Sequence, residues 1–433
     1  MTADAMTGLG GLFLLVSLLL MRMPAALGLL LVGLALMLLS GAPVGGIPAT
    51  MLATLDRQDV LAVPLFLFFS HVMVKGAAAD TLLRFSQALV GHWPGGLLVA
   101  AVAASVLLGF LTTSGVAATA ALAALAMPGL LSAGYPRWLV LGLMAGSGTL
   151  TLLLPPSMPL MMLGLVMDQP AGDLLIAGIY PGLLLSVLLV VMAMIFGARF
   201  GRRHKKMPAP RRREALIGGV PLLLLLGVLV SLAFFADLAA AQLAAIAATL
   251  AVLVICGVYR RLPLRQLADT AFESAVGAAS LLAIAAGAKA LLLGLSVTGF
   301  LGALVDLVTG LPGVAVFIVL LSLLVIVLAF LLDGLGLLLV VLPILLPAAL
   351  VLGLDPVWLA VYFVMLLQAA LVLPPSGLNL LIIQGLARSQ PAEITEGAAV
   401  FLLPLALVAL VWCLWPGLPF GEPVILTLVP TAW

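Results

Sequence analysis

Four short stretches place hydroxyls, glycines, prolines and a carboxylate inside runs that are otherwise apolar. The first is Leu111-Thr112-Thr113-Ser114-Gly115. The second is Gly146-Ser147-Gly148-Thr149, followed by Pro155-Pro156-Ser157. The third is Asp333-Gly334-Leu335-Gly336, and the fourth is Pro374-Pro375-Ser376-Gly377-Leu378-Asn379. A stretch of this kind interrupts a helix, leaving amides and carbonyls without intrahelical partners. Freed carbonyls and hydroxyls can replace the water around a cation such as Na⁺, while freed amides at a helix N-terminus suit an anion. The same small residues also suit close helix packing. Asp333 is the only carboxylate between Asp306 and Asp355. A carboxylate inside a membrane is a functional candidate; capping the helix start at Gly334 is the other reading. Asn379 either offers its carbonyl to an ion or bonds across helices, and Gln368 reads as interhelical glue.

These stretches need a frame, and the composition says which kind. Hydrophobic residues make up 65% of the 433 positions and charged residues 8%, against about half and a quarter in soluble domains. Lipid must therefore be the solvent for much of the surface. The fold class expected is all-α and polytopic. A net charge of +2 gives no reason to expect a nucleic-acid partner. Cys256 and Cys413 lie in apolar runs and read as packing residues; the three histidines offer little for metal or acid–base chemistry. His71 and His92 read as satisfied side chains near the interface. The N-terminus has no basic region ahead of its apolar run and carries Asp4, so it reads as a retained span.

Apolar runs place short spans at 8–21 and 24–40, a third at 58–75 and an amphipathic stretch at 79–91. Two apolar pieces at 95–111 and 116–132 flank the first break, and 137–167 contains the second. Spans follow at 174–197, 215–235 and 238–258. The pattern then recurs at 267–293 and 297–310, at 312–332 and 336–352 around Asp333, at 356–386 with its own break, and at 398–415. Each broken pair reads as a re-entrant hairpin, tolerated in a membrane only where protein or a water-filled cavity surrounds it.

Basic residues orient the spans. Eight of the 18 Lys and Arg lie between Arg199 and Arg213, which marks a cytoplasmic loop, with anionic-lipid binding as a secondary reading. With hairpins counted as no crossing, Arg22, Lys75, Arg84, Arg137, Arg260, Arg261, Arg265 and Arg388 fall inside too, and only Arg57 and Lys289 fall outside. Asp56, Asp59, Asp168, Asp173, Asp237, Asp306 and Asp355 are placed outside. Lys289 reads as snorkelling, Arg57 and Asp59 as interface residues, and Trp412, Trp415 and Trp433 as external interfacial anchors.

The halves match at an offset of 218 to 220. Trp93-Pro94-Gly95 pairs with Leu311-Pro312-Gly313, Phe110-Leu111 with Phe330-Leu331, Met127-Pro128 with Leu346-Pro347, Tyr135-Pro136-Arg137-Trp138 with Asp355-Pro356-Val357-Trp358, and Leu154-Pro155-Pro156-Ser157 with Leu373-Pro374-Pro375-Ser376. An odd number of crossings separates the copies, so the second is inverted. Inverted repeats with broken helices near the midplane are a secondary-transporter architecture. The expected division is N-terminal scaffold helices (1–57), a first repeat with hairpin 1 (58–198), a basic loop (199–214), a scaffold pair (215–262), a second repeat with hairpin 2 (263–416) and an external tail (417–433).

Several pieces resemble the large membrane subunit of tripartite ATP-independent periplasmic (TRAP) transporters. They are Met73-Val74-Lys75-Gly76, Leu89-Val90-Gly91-His92-Trp93-Pro94-Gly95-Gly96, Leu154-Pro155-Pro156-Ser157, Ala177-Gly178-Ile179-Tyr180-Pro181-Gly182 and Pro374-Pro375-Ser376-Gly377-Leu378-Asn379-Leu380. The resemblance implies a sodium-coupled, elevator-type importer of small organic acids in the bacterial inner membrane. It implies no cofactor beyond Na⁺ as coupling ion, and two partners: a small four-helix membrane subunit and a periplasmic solute-binding protein. It maps ion sites onto Thr113, Ser114 and Ser147 and onto Asp333. This chain departs from the family pattern at Ala117-Ala118, with Thr119 next, at Gly334-Leu335, at Gln368 and at Leu373, which leaves the second half poorer in ligands.

Three other readings stand beside this one. An inverted-repeat ion-coupled carrier or cation/proton antiporter would work without a binding protein. A scaffold would have lost its sites. An intramembrane protease would use Ala145-Gly146-Ser147-Gly148 but would need a base within reach.

Overall fold

The computed structural model describes residues 3–200, 207–236, 238–330, 332, 334–374 and 377–414, and every regular element among them is helical. An N-terminal group comprises α1 (Ala3–Leu20), α2 (Ala25–Leu39) and α3 (Gly46–Leu55). A first series follows: a 3-10 turn at Gln58–Leu61 running into α4 (Ala62–Lys75), then α5 (Ala78–Val90), α6 (Gly96–Gly109), α7 (Gly115–Ser132), α8 (Arg137–Gly148), α9 (Met158–Val166) and α10 (Ala171–Phe200). Between the series stand α11 (Ala209–Phe235) and α12 (Ala240–Val252), which ends in a π turn at Leu253–Val258. The second series is α13 (Leu264–Val297), α14 (Phe300–Thr309), α15 (Val314–Leu328), α16 (Gly334–Val351), α17 (Pro356–Val372), α18 (Leu378–Ala387) and α19 (Pro391–Leu414).

The two series have the same element order, and their helix starts stay in the register read from the sequence: Gly115 with Gly334, Arg137 with Pro356, Met158 with Leu378 and Ala171 with Pro391. They also interlock reciprocally. Helix α18 packs on α7 and α8, and α9 packs on α16 and α17; α19 packs on α8, and α10 on α17. Exchange of this kind is what a two-fold relation between the copies produces. Among the described residues, seven helices are long and apolar enough to cross a membrane. With 14 residues, α6 is only about 21 Å long, short of the roughly 30 Å of a hydrocarbon core.

The centre is formed by the broken helices. Every residue of Leu139–Gly148 in α8, of α9, and of Trp358–Gln368 in α17 is buried, the pattern of a helix surrounded by protein on all sides. At the crossing of α8 and α19, a Cβ on Gly397 would lie 2.2 Å from the Trp138 carbonyl, and one on Gly142 would lie 2.5 Å from the Gly397 carbonyl. Only glycine at both positions allows that approach.

Ion pairs join distant parts of the chain. Lys75 reaches Glu273 at 2.7 Å and Arg137 reaches Glu393 at 3.2 Å. Arg57 and Lys289, the two basic residues assigned outside, converge on Asp168, also assigned outside. Lys289 is thus an ion-pair partner rather than a snorkelling chain. Asp355 caps α17, accepting from the Trp358 amide at 2.8 Å.

The structure corrects several expectations. Arg199 lies on α10, and Arg211, Arg212 and Arg213 lie on the first turns of α11, so the basic loop is shorter than 199–214. Helix α3, not expected, follows Pro43 and Gly45. Helix α13 runs on to Val297, Ser296 turning its hydroxyl back to the Leu293 carbonyl, and ends at Thr298-Gly299. Trp412 is buried, not an interfacial anchor: its indole donates to the Trp358 carbonyl at 3.3 Å and accepts the Trp358 indole on its own carbonyl at 3.2 Å. Asp333, Pro375, Ser376, Trp415, Trp433 and the tail 417–433 lie outside the described residues.

Candidate functional site

The first break begins where α6 ends at Gly109. The Thr112 hydroxyl turns back to the Leu108 carbonyl at 3.1 Å. The Thr113 amide donates to Ser70 Oγ on α4 at 3.0 Å. Ser114 caps α7, its Oγ accepting from the Ala117 amide at 3.3 Å. Thr112 and Thr113 are buried. A Cβ on Gly115 would meet Thr151 Oγ1 at 3.0 Å and the Gly148 carbonyl at 3.4 Å. The hairpin tip therefore lies directly against the second break.

At the second break the last turn of α8 tightens. The Thr149 amide reaches Gly146 and Ser147 carbonyls rather than that of Ala145. The Ala145 carbonyl, which the Thr149 amide does not reach, takes the Asn379 side-chain amide from α18 at 3.2 Å. The Thr149 carbonyl takes Gln368 Nε2 from α17 at 2.7 Å. Positions 149 and 368 are repeat counterparts, so the halves are bonded at their own symmetry position. Within the break, Thr149 Oγ1 donates to the Gly146 carbonyl at 2.8 Å and Thr151 Oγ1 to that of Gly148 at 3.3 Å. Ser147 Oγ lies 3.0 Å from Ser105 Oγ on α6. Past the prolines Pro155 and Pro156, Ser157 bonds the Leu152 carbonyl and caps α9 by accepting from the Leu160 amide.

Two buried oxygens here have no hydrogen-bond partner among the described residues: Thr119 Oγ1 on α7 and Asn379 Oδ1 on α18. Thr119 sits one turn past the hairpin tip, and a Cβ built on Gly148 would lie 1.7 Å from its Oγ1. Asn379 is held by its bond to Ala145, which needs the NH₂ end of the amide and so assigns Oδ1 to the unpartnered side. Helix α18 packs on both α7 and α8. The two oxygens thus come from opposite repeats and flank the turn Ala145–Thr149. A buried acceptor left unpaired costs about 1–3 kcal/mol, so two in one neighbourhood need an account.

Of the residues named from the sequence, Gly115 at the hairpin tip is brought against Gly148 of the second break, whereas Thr112, Thr113, Ser147 and Ser157 bond to Leu108, Ser70, Ser105 and Leu152. In the second half, Gly334 packs against Leu367 with a hypothetical Cβ 3.1 Å from it, and Gly377 lies beneath the carbonyls of Leu371 and Leu373. Gly336 starts the buried run of α16, and Pro374 ends the described residues before the gap. Asn379 is delivered to the first-half break, not to a separate second-half site. Ser70 and Ser105 were not found from the sequence; a lone serine in an apolar helix looks like any that bonds its own preceding turn. Ser147 has the Ser105 hydroxyl as its side-chain partner, not a base, and no group of three or more His, Cys, Asp or Glu that could hold a metal exists among the described residues.

Comparison with known proteins decides the family. Residues 12–418 match the family described as "Tripartite ATP-independent periplasmic transporter, DctM component". The chain belongs to the DctM family of TRAP transporter components. A C4-dicarboxylate TRAP large permease of Pseudomonas aeruginosa is 32% identical over 390 residues, covering 87% of this chain and 89% of that protein. A sialic acid TRAP large permease of Vibrio cholerae is 27% identical, covering 94% and 96%. An ectoine/5-hydroxyectoine TRAP large permease of Ruegeria pomeroyi is 29% identical, covering 84% and 86%. The Alcanivorax borkumensis YdaH transporter shares the fold with a TM-score of 0.57 at 16% identity, covering 86% of this chain and 89% of that one. As a TRAP large permease, the chain is a membrane transport protein.

Proposed function

We propose that this TRAP large permease is the translocating subunit of a sodium-coupled importer of small organic acids in the bacterial inner membrane. The observation that carries the reading is the pair of unpartnered buried oxygens, Thr119 Oγ1 and Asn379 Oδ1, set from opposite repeats around the turn Ala145–Thr149. A dehydrated cation satisfies both, with Thr113, Ser114 and Ser147 and neighbouring carbonyls beside them. Na⁺ fits a neutral hydroxyl, amide and carbonyl set, and asks for no carboxylate. Asp333, with Gly334, Gly336, Pro374, Pro375, Ser376 and Gly377, is proposed to complete a second-half site.

The charge balance explains why coupling would be obligatory. Among the described residues, none of the buried ones is Lys, Arg or His, so a substrate carboxylate finds no fixed cation among them. Bound Na⁺ then supplies the positive charge, and helix N-termini at Gly115 and Met158 supply amides. The reciprocal interlock of the repeats supports an elevator-type movement of α6–α9 and α15–α18 as one body against α11, α12 and the N-terminal helices. The names of the relatives support organic anions handed over by a periplasmic binding protein, and a small membrane subunit as the other partner.

The test is uptake of succinate and sialic acid into proteoliposomes holding the chain, its small subunit and its binding protein. Uptake driven by an inward Na⁺ gradient, and absent with K⁺, supports the proposal. Uptake independent of Na⁺ sinks the sodium coupling. Uptake that does not need the binding protein points to a stand-alone carrier.

A further inference from the structure

Three arginines on the first turns of α11 are not used by the transport reading. Arg212 Nε donates to the Ala88 carbonyl near the end of α5 at 3.0 Å, a cation capping the C-terminal carbonyls of a helix. That bond fixes Arg212 against α5 and leaves its two terminal nitrogens without a protein partner among the described residues. Arg213 beside it is exposed and makes no ion pair there. With Met207, Leu216 and Ile217 the two arginines line a hollow.

Following the same face of α11 inwards, Gly219 lies against Phe85 and Leu223 comes two turns below Leu216. At that depth Leu223 faces a groove of about 460 Å³ between α5, α6 and α10. Leu89, Val187 and Val191 in its wall are 43%, 57% and 44% exposed. Arg212, bonded to Ala88 at the end of α5, thus stands next to the apolar groove, a trough whose wall includes Leu89 and Val90 of the same helix end.

We propose that this face holds a phospholipid with a net-negative headgroup, its phosphate on Arg212 and Arg213 and its acyl chains in the groove. Charge complementarity selects the headgroup: basic pockets between helices on the cytoplasmic side suit anionic lipids. Free phosphate would satisfy the arginines but leave the trough open, and a neutral lipid would fill the trough but leave the arginines unused. The trough has walls from α5, α6 and α10 on one side and α11 on the other, so its occupant also sets how α11 sits against the first series. The inference does not depend on which ion or substrate is carried.

Native mass spectrometry of the purified full-length chain, titrated with dioleoylphosphatidylglycerol or dioleoylphosphatidylcholine, tests it. The wild type is expected to retain the phosphatidylglycerol with roughly a thirtyfold preference, the scale of two basic residues near a membrane surface. Arg212→Gln combined with Arg213→Gln should remove the preference while either lipid still binds. Arg213→Gln alone, at a residue with no protein partner, should reduce the preference severalfold without touching the α5 cap. Leu223→Trp, which fills the trough, should lower retention of both lipids. Equal retention by the wild type, a preference unchanged in the arginine variants, displacement of the lipid by millimolar inorganic phosphate, or complete exclusion of lipid by the bound small subunit would each overturn the proposal.

Discussion

Thr119→Val separates an ion ligand from a packing residue by the sign of its effect. The side chain is buried, lies flat on Gly148, and has an oxygen with no partner. If nothing ever binds that oxygen, replacing it with a methyl group removes an unpaired polar atom. Stability in sodium-free buffer should then hold or rise, by up to about 1–3 kcal/mol, and nothing else should change. If the oxygen ligates Na⁺, the sodium-free gain comes with a loss of sodium affinity. A polar contact to a charged group is worth about 1.5–3 kcal/mol, and each 1.4 kcal/mol is a factor of ten. The half-saturating sodium concentration should therefore rise roughly 10- to 100-fold. Thr119→Ser, which keeps the oxygen, should stay within a few-fold of wild type. The assay is thermal unfolding of the purified chain across a titration of NaCl against choline chloride, since a ligand that binds only the folded state raises the midpoint as its concentration exceeds Kd. An unchanged sodium-dependent midpoint shift in Thr119→Val would refute the reasoning.

Other expectations follow from the same geometry. Gly148→Ala would drive a Cβ to 1.7 Å from Thr119 Oγ1 and should destabilise by about 1–3 kcal/mol or more, seen as a lower unfolding midpoint and lost uptake. Gln368→Leu leaves the Thr149 carbonyl unpaired and should destabilise by about 1–3 kcal/mol, whereas Gln368→Glu, unable to donate when ionised, should be at least as damaging above the carboxylate pKa; denaturation at two pH values checks both. Asp168→Asn removes the ion-pair partner of Lys289 and one of the two of Arg57, which keeps Asp59; Asp168 is 66% exposed, so solvent screening limits the loss to under about 1 kcal/mol. A double-mutant cycle with Lys289→Met measures that coupling.

Most of the architecture was legible because apolar runs and their interruptions are physical requirements of a bilayer. The break at Thr112–Gly115 and the register of the two copies appear where polar and small residues fall in the chain. What escaped was long-range. Nothing local distinguishes Ser70 or Ser105 from other serines in apolar helices, yet one bonds the Thr113 amide and the other Ser147. Trp412 looked like an interfacial anchor because it ends an apolar helix; only its pairing with Trp358, 54 positions away, shows it to be core. Asn379 was readable as either ion ligand or cross-helix bond because an amide has two ends. The NH₂ end is spent on Ala145, and the oxygen remains.

The central claim is that sodium is bound between the repeats and moves with the substrate. Parallel uptake of radiolabelled sodium and radiolabelled organic acid by the reconstituted complex measures it most directly. The account predicts a fixed ratio of the two in wild type, and loss of both fluxes together in Thr119→Val and Asn379→Ala at low sodium. Substrate entry without sodium, or a ratio untouched by either variant, would contradict it.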